Sequence, residues 1–398
     1  MKKRMFKCVL GASIALGSLL AVSIPSHAQS TPGITDKEIL IGSCSALEGP
    51  SHFLGSETVT GAKAYFDMVN DAGGVDGRKL ILVSYDDSYD PAKTEACFNR
   101  LLEQKVFALA FFVGTPTAVK YVPMAENNKI PLIGLFTGAQ TLYVPFRHWV
   151  VNVRASYFDE TREQIDGLWG GLGYKKIGVI YPEDAFGAAV LEGVKTALKA
   201  HGADPIAVAS YQRQTAQVVG AIDTVRAANP EAVVVVGPAN TVAPILKQSH
   251  AKGWKPLFLT VSFVGTDDLI QEAGTDADGM VITQVVPPYY LTEFKTVALY
   301  RRTLTKYFPS AQPNFVSLEG FVDAMVLVDG LKHAGKDLTR EGLIHGIESL
   351  HNVDLGLGPQ LILDYSAKDH KGFDHVLPTV IRGGRAVPFT DWATAAPK

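Results

Sequence analysis

Hydroxyl-bearing and small residues recur where predicted strands end and predicted helices begin. They are Ser43 and Ser45, Thr115 and Thr117, Thr137 and Gly138, and Ser262. Free backbone N–H groups at helix N-termini can hold an anion such as a carboxylate. At any one position, ordinary capping by serine or threonine explains the residue equally well. Taken together, the pattern favours a binding site for a small anion.

Aromatic side chains stand beside these polar loops. They are Phe53, Phe136, Tyr157, Phe186 and Phe263. Such rings could form the apolar walls of a ligand pocket, although each could equally be an ordinary core residue. Ligands of open parallel sheets bind at the carboxyl ends of the strands, where these loops are predicted. The sequence therefore points to a small ligand that is partly apolar.

No recognisable catalytic motif accompanies this pattern. The chain lacks GxSxG, HExxH and a strand-to-helix GxGxxG. Gly330–Lys336 matches the front of a phosphate-binding loop, but it follows a helix and continues into Asp337, which favours a helix C-cap and turn. Asp86 and Asp87 are interpreted as a solvated pair or as caps of the next helix. We predict no enzyme, no cofactor and no metal site.

The apolar segments predict an α/β protein. Between 39 and 91 a short strand, a helix with apolar residues at helical spacing and a second strand form a βαβ unit. Later strands are apolar on both faces, as in parallel sheets covered by helices. The pattern restarts after Trp149–Tyr157, which is interpreted as a crossover. Two successive arrays of similar size result, and about 370 residues after the leader suit two domains.

The first 28 residues have the features of a secretory signal: a basic start, a short apolar core and small residues before Gln29. Without this leader the 37 basic residues fall to 33 against 40 acidic ones, a net charge of −7. Nucleic acid is an unexpected partner for such a chain. No later stretch has the length of a membrane span. Cys44 and Cys97 remain after cleavage, either bridged or as buried thiols.

Several segments, in order along the chain, resemble periplasmic solute-binding proteins of the branched-chain amino-acid (Leu/Ile/Val) type, which serve ABC transporters. These segments are ILIGSCSALEGP, GAKAYFDMVNDAGGVDGRKL, YDDSYDP, IGVIYPEDAFGAAVLEGVKTAL, GPANTVAPILKQSHAKGW and LKHAGKDLTREGLIHGIESL. The resemblance implies the type I periplasmic binding protein fold: two Rossmann-like lobes with parallel-type sheets, joined by three hinge crossovers and closing on ligand.

The resemblance also implies boundaries within the chain. The first lobe would comprise 29–152 plus 286–354, and the second 153–285 plus 355–382. A C-terminal loop or tail would follow at 383–398. The crossovers would lie near Asn152–Arg154, Val285–Pro287 and Leu350–Gly358.

Carried over residue by residue, the resemblance places the ligand carboxylate at the hydroxyl of Thr115, with Thr117 nearby. The next strand-end loop would present Phe136, Thr137, Gly138 and Ala139. The first-loop aromatic falls at Phe53 or Leu54, and the aromatic of the second lobe is Phe186. Tyr157 could reach across the cleft. Pro238 departs from the family, which usually has an aromatic residue there.

Ser262 is the most informative departure. It stands where amino-acid binders of this type carry the glutamate that pairs with the ligand ammonium. A buried cation without a partner is costly, which counts against an α-amino acid and favours an organic acid, aromatic or aliphatic, or an amide. The expected ligand is a small carboxylate-bearing compound of one of these classes, the amino acid included. Asp159 or Asp184 could replace the missing carboxylate. The expected protein is a monomeric periplasmic receptor for an ABC permease; a ligand sensor for a signalling partner and a secreted hydrolase are the alternatives.

Overall fold

In a computed structural model, residues 31–395 are described, and the predicted leader lies outside them. The first sheet contains five parallel strands, which confirms the predicted parallel type. They are β1 (Glu38–Ser45), β2 (Lys79–Asp86), β3 (Ala108–Ala110), β4 (Leu132–Ile133) and β5 (Val150–Val151), in the order β2-β1-β3-β4-β5. The intervening helices are α1 (His52–Asp71), α2 (Pro91–Glu103) and α3 (Thr115–Asn128).

A second sheet follows after residue 156. Its parallel strands are β6 (Ile177–Pro182), β7 (Ala207–Tyr211), β8 (Ala232–Val235), β9 (Leu257–Thr260) and β10 (Val281–Gln284). The helices of this part are α4 (Tyr157–Asp166), α5 (Ala185–Ala200), α6 (Val219–Ala227), α7 (Ala239–Ala251) and α8 (Thr266–Ala273). We refer to the parts built on the two sheets as the first and second lobes.

The chain then returns to the first lobe with three helices. These are α9 (Lys295–Tyr307), α10 (Phe315–Ala334) and α11 (Arg340–Glu348). Helices α1 and α10 pack against each other along an extended interface, where glycines allow their backbones to approach closely. A Cβ on Gly61 or on Gly320 would overlap a backbone carbonyl of the other helix. Backbone proximity of this kind fixes how α10 lies on the sheet.

The segment from 355 to about 373 does not lie in the lobe that was predicted for it. Strands β11 (Val353–Asp354) and β12 (Ile362–Leu363) pair with each other, and Leu355, Leu363 and Phe373 belong to the core of the first lobe. The chain enters the second sheet at β13 (Leu377–Arg382), which is antiparallel to β10. The third crossing therefore lies between 373 and 377 and not at Leu350–Gly358.

Residues 383–395 of the predicted loop or tail also form regular structure, and 396–398 lie outside the described residues. Strand β14 (Arg385–Pro388) pairs antiparallel with β13, so the second sheet has the order β14-β13-β10-β9-β8-β6-β7. A 3-10 turn at Trp392–Ala395 follows, and the Trp392 ring packs closely against Gly167 and Gly171 after α4. The Gly383-Gly384 turn before β14 is typical of a β-hairpin. The many glycines and prolines of this segment favour a loop in a sequence-based prediction.

Local side-chain bonds explain where several helices begin. Asp90 accepts hydrogen bonds from the amides of Ala92 and Lys93 at the start of α2, and Pro91 occupies its first turn. The predicted cap by Asp86 or Asp87 is wrong. Asp86 instead accepts from the amides of Leu47 and Glu48, which holds the loop after β1.

Of the two options for the cysteines, the structure has the bridge. Cys44 at the end of β1 is bonded to Cys97 in α2, and 53 positions separate them in the sequence. The bridge ties the first strand to the helix that covers it.

Candidate functional site

The strand-end loops of the two lobes meet in a buried cluster of aromatic rings, which we call the aromatic seam: Tyr89, Phe136, Tyr157, Phe186 and Phe263. The ring centroid of Phe263 lies 4.5 Å from that of Phe186, 5.6 Å from that of Phe136 and 5.8 Å from that of Tyr89. Tyr157 lies 5.4 Å from Phe186. Four of these five rings were predicted from the sequence, and the structure brings them together.

A chain of hydroxyl groups borders the aromatic seam on the side of the first lobe. The Thr115 and Thr137 oxygens are 2.7 Å apart, and the Tyr157 hydroxyl lies 3.3 Å from the Thr137 oxygen. The Tyr157 amide also donates to the Gly138 carbonyl at 2.7 Å. A Cβ on Gly138 would lie 2.8 Å from that amide nitrogen, so glycine is needed for this close approach.

Arg154 is the charged centre of the seam and is only 2% exposed. Its Nη2 lies 3.0 Å from Glu160 Oε1 and also contacts the Ser262 hydroxyl, while Nη1 lies 3.1 Å from Glu319 Oε1. The guanidinium carbon is 5.3 Å from the Phe136 ring centroid and 5.7 Å from that of Tyr157. A side chain from the crossover thus joins α4, α10 and the loop after β9.

Glu160 supplies the carboxylate beside Ser262. Its oxygens accept from the Ser262 amide at 2.7 Å, the Ser262 hydroxyl at 2.9 Å and the Thr283 hydroxyl at 2.8 Å. The two aspartates considered for this role, Asp159 and Asp184, have other partners. Asp159 bonds Ser156 and Lys371, and Asp184 bonds the Gly187 amide and Arg213.

Burial shapes the protonation of this cluster. It raises the pKa of Glu319 to about 7, although Arg154 opposes the shift. It also raises the pKa of Glu160, and it raises that of Asp323, which neighbours Glu319, well above its ordinary value. Burial would lower the pKa of Arg154, but the charges of Glu319 and Glu160 outweigh it and raise the pKa. Arg154 is therefore a fixed cation among carboxyl groups that hold their protons unusually well.

The five remaining residues that were predicted for the site lie at different positions around it. The hydroxyl of Ser45 donates to the Phe111 carbonyl at 2.7 Å, and that of Thr117 donates to the Gly114 carbonyl at 2.8 Å. Ala139 is buried beside the loop of Thr137. Phe53 and Leu54 lie at the seam through α1: a Cβ on Gly265 of the second lobe would lie 2.9 Å from Leu54 Cδ2 and 3.6 Å from Phe53 Cδ1.

A second contact between the lobes lies beside the aromatic seam and is referred to below as the arginine latch: Arg213, Asp184 and Tyr89. Arg213 Nε donates to Asp184 Oδ2 at 3.0 Å, and Nη2 donates across the lobes to the Tyr89 carbonyl at 2.6 Å. Its guanidinium carbon lies 4.5 Å over the Tyr89 ring. The latch thus joins the two lobes through a hydrogen bond from a charged donor and a cation–π contact.

Sequence reasoning missed Arg154, Glu160, Glu319, Tyr89 and Arg213 as site residues. Arg154 was noted only as part of a crossover, and nothing in the spacing of residues 154, 160 and 319 shows that three charges meet. A glutamate within the largely apolar helix α10 is the one available signal, because such a residue is rarely buried unless it is paired.

Within residues 31–395, no helix is long and apolar enough to cross a membrane, and no group of three potential metal-ligating side chains occurs. A cavity of about 510 Å³ opens away from the seam, between His250, Phe258 and Asp276 in the second lobe. It contains none of the residues predicted for the site.

The profile of the periplasmic binding protein family matches residues 38–383. An amino acid binding protein of Pseudomonas aeruginosa is 24% identical over 75% of this chain and 78% of its own. The solved structure of a possible leucine/isoleucine/valine-binding protein from Rhodopirellula baltica is 30% identical, covers 93% of this chain and all of its own, and has a TM-score of 0.85. A fatty acid ABC transporter substrate-binding protein from Thermomonospora curvata shares the fold, with 22% identity, a TM-score of 0.84 and coverage of 92% of this chain and 95% of its own. The chain therefore belongs to the periplasmic binding protein family, as a relative of its Leu/Ile/Val-binding proteins.

Proposed function

We propose that this protein is a periplasmic receptor that captures a small carboxylate-bearing solute between its lobes and delivers it to an ABC permease. The observation that carries the proposal is the seam itself: the Thr115 and Thr137 hydroxyls, 2.7 Å apart, border a cluster of rings contributed by both lobes. Hydroxyl donors suit a carboxylate, and the rings suit an apolar body.

Capture follows from the division of the site between lobes. Thr115, Thr137 and Phe136 belong to loops of the first sheet, whereas Phe186 and Phe263 belong to the second. A ligand makes both sets of contacts only when the lobes are closed, so its binding shifts the population towards the closed form. The chain segments between the sheets would serve as hinges.

The remaining parts of the proposal rest on the family and on the chain's first residues. The leader predicted at 1–28 would export the chain to the periplasm, where the disulfide between Cys44 and Cys97 is stable. The closed receptor would act as a monomer and dock on the permease through its lobe faces. We propose that it performs no reaction, because no nucleophile with a base is found among the residues of the seam.

Thermal shift and calorimetry on the exported protein test this function. The protein should be unfolded and refolded without reductant, which removes carried-over ligand and retains the disulfide. The panel contains leucine, isoleucine, valine and phenylalanine beside aromatic and aliphatic carboxylates and their amides. A ligand at a hundred times its dissociation constant stabilises the folded state by about 2.7 kcal/mol. The proposal expects one-to-one binding of at least one carboxylate-bearing compound and its recovery unchanged.

A matched variant locates the site. Phe186→Ala removes a seam ring and should weaken that binding roughly tenfold or more, whereas Phe146→Ala removes an exposed ring and should not. Turnover of the bound compound, or binding that ignores Phe186, would contradict the proposal.

A further inference from the structure

Two polar groups at the aromatic seam are buried without a hydrogen-bond partner among residues 31–395: the Tyr89 hydroxyl and Arg154 Nε, and only the second is purely a donor. Arg154 Nε is buried and has no hydrogen-bond partner among residues 31–395, although both terminal nitrogens of the guanidinium are bonded. An arginine Nε carries one N–H and cannot act as an acceptor. A buried donor without a partner costs free energy, so an acceptor atom of a ligand that bonded Arg154 Nε would be stabilised there.

On the acceptor side, the carboxylate of Glu160 has no free position. Glu160 receives four hydrogen bonds: from Arg154 and the Ser262 hydroxyl at Oε1, and from the Ser262 amide and Thr283 at Oε2. A carboxylate offers about four lone-pair sites, so none remains for an added ammonium. Glu319 accepts from Arg154, and its pKa of about 7 leaves it largely uncharged in mildly acidic solution.

We infer that Arg154 determines which ligands the receptor takes: its guanidinium pairs with the ligand carboxylate and also occupies the acidic groups that would otherwise receive an α-ammonium. This inference rests on the proposed function and narrows its ligand class to carboxylates without an amino group. The nearby rings of Phe136 and Tyr157 place the ligand's apolar body beside the charge. Ser262 contributes by bonding Glu160 and Arg154 together.

The physical consequence is a ranking of three compounds that share one side chain. A carboxylate can accept from the free Nε–H of a cationic guanidinium, and charge-assisted hydrogen bonds are the strong ones. The corresponding amide keeps an acceptor but loses the charge. The corresponding α-amino acid adds a cation that must be desolvated beside the like charge of Arg154, and Glu160 has no acceptor position left for it.

Calorimetry with two matched series tests the ranking on the unmodified protein. The first series is 3-phenylpropanoate, 3-phenylpropanamide and phenylalanine, and the second is 4-methylpentanoate and leucine. In whichever series binds, we expect the acid to bind at least roughly a hundredfold more tightly than the amino acid. In the first series the acid should also bind about tenfold more tightly than the amide. An amino acid that binds as tightly as its deaminated partner would overturn the inference.

Variants then assign the effect to Arg154. Arg154→Gln should weaken binding of the acid at least roughly a hundredfold and remove the discrimination against the amino acid. Glu319→Gln keeps an acceptor for Arg154 but removes a competing charge, so the acid should bind at least as tightly as before. Arg226→Gln changes an exposed arginine of α6 and is the control for the loss of one positive charge. Acid affinity within threefold of the unmodified protein in Arg154→Gln would contradict the inference.

Two further measurements keep the test decisive. Arg154→Gln could fail to fold, because Glu160 and Glu319 lose their counter-ion. In that case the double variant Arg154→Gln with Glu319→Gln is measured in its place, since it buries one acidic group fewer. The same loss of affinity for the acid is expected. If no compound in the panel above binds, the proposed function fails, and this inference fails with it. Binding that prefers amino acids overturns this inference alone and leaves the receptor function standing.

Discussion

At the scale of single residues, the seam combines an uncharged hydroxyl chain with a strongly coupled charge cluster. Thr115, Thr137 and Tyr157 are linked oxygen to oxygen, so removing one of them leaves another without its partner. Arg154 and its carboxyl neighbours cost free energy to bury, and such clusters are retained more often for specificity than for stability. Ligand affinity therefore tests the hydroxyl chain, and the pH dependence of stability tests the charge cluster.

Thr137→Val should weaken ligand binding. The substitution removes the oxygen between Thr115 and Tyr157 while nearly preserving the shape of the side chain. The loss of one hydrogen bond, about 1 to 1.5 kcal/mol, corresponds to roughly a tenfold weaker affinity by calorimetry. Thr224→Val is the control, since that hydroxyl bonds a backbone carbonyl within α6. Unchanged affinity in Thr137→Val would show that the hydroxyl chain does not hold the ligand.

Glu319→Gln should stabilise the fold at high pH and not at low pH. The Glu319 pKa of about 7 lies above its ordinary value of 4.5, so the native state holds a proton that the unfolded state loses first. The contribution of this carboxyl to the free energy of unfolding is fully present below pH 4.5. It is lost as the pH rises through about 7. At pH 8 the variant should gain roughly 1 to 3 kcal/mol in chemical unfolding, and at pH 4 almost nothing. Glu293→Gln, an exposed control, should show no such difference.

At the scale of elements, the buried regular parts were predictable and the edges were not. Strands β6, β8 and β9 are apolar runs, and such runs stand out in a sequence. Strand β7 lies at an edge of the sheet and is half-buried, so its pattern is weaker and it was missed. Likewise, strand-end hydroxyls and rings were identifiable from local spacing, whereas Arg154 meets Glu319 across 165 positions. Local spacing cannot encode that meeting.

Gly320→Ala should destabilise the protein by overpacking α1 against α10. The added Cβ would overlap the Thr58 carbonyl, and the backbone of α1 cannot move away without leaving its sheet. A loss of about 1 to 3 kcal/mol in chemical unfolding is expected. Gly220→Ala is the matched control, because nothing lies within 4 Å of its Cβ; it should be neutral or gain up to about 1 kcal/mol. Equal stabilities of the two variants would refute the packing argument.

Replacing both cysteines by alanine should lower the free energy of unfolding by up to about 4 kcal/mol. The bridge between Cys44 and Cys97 restricts a long loop of the unfolded chain. Denaturant unfolding with and without reductant measures the effect. Reductant should destabilise the unmodified protein and leave the alanine variant unchanged; sensitivity of the variant to reductant would contradict this explanation.

At the scale of the whole molecule, several contacts join the two lobes. The aromatic seam is one of them, and the arginine latch is another. The Arg213 bond to the Tyr89 carbonyl spans the lobes without involving the residues proposed to hold the ligand carboxylate. The latch therefore offers a way to change the balance of open and closed forms while leaving the carboxylate contacts intact.

Arg213→Gln should shift that balance towards the open form. Small-angle scattering of the ligand-free protein should give a larger radius of gyration, and affinity should fall roughly tenfold because fewer molecules are closed. Arg226→Gln is the control at an exposed arginine. A lower affinity without a change in radius would mean that Arg213 acts on the ligand directly and not through closure.

The route of the chain has a consequence for how the protein is made. The first lobe is completed by α9–α11, and the second by β13 and β14, near the carboxyl terminus. Neither lobe is a continuous piece of sequence, so a growing chain cannot finish one before starting the other. Their contacts join distant positions, which favours slow folding. Both lobes are therefore expected to complete their folding together, and only after β13 and β14 have been synthesised.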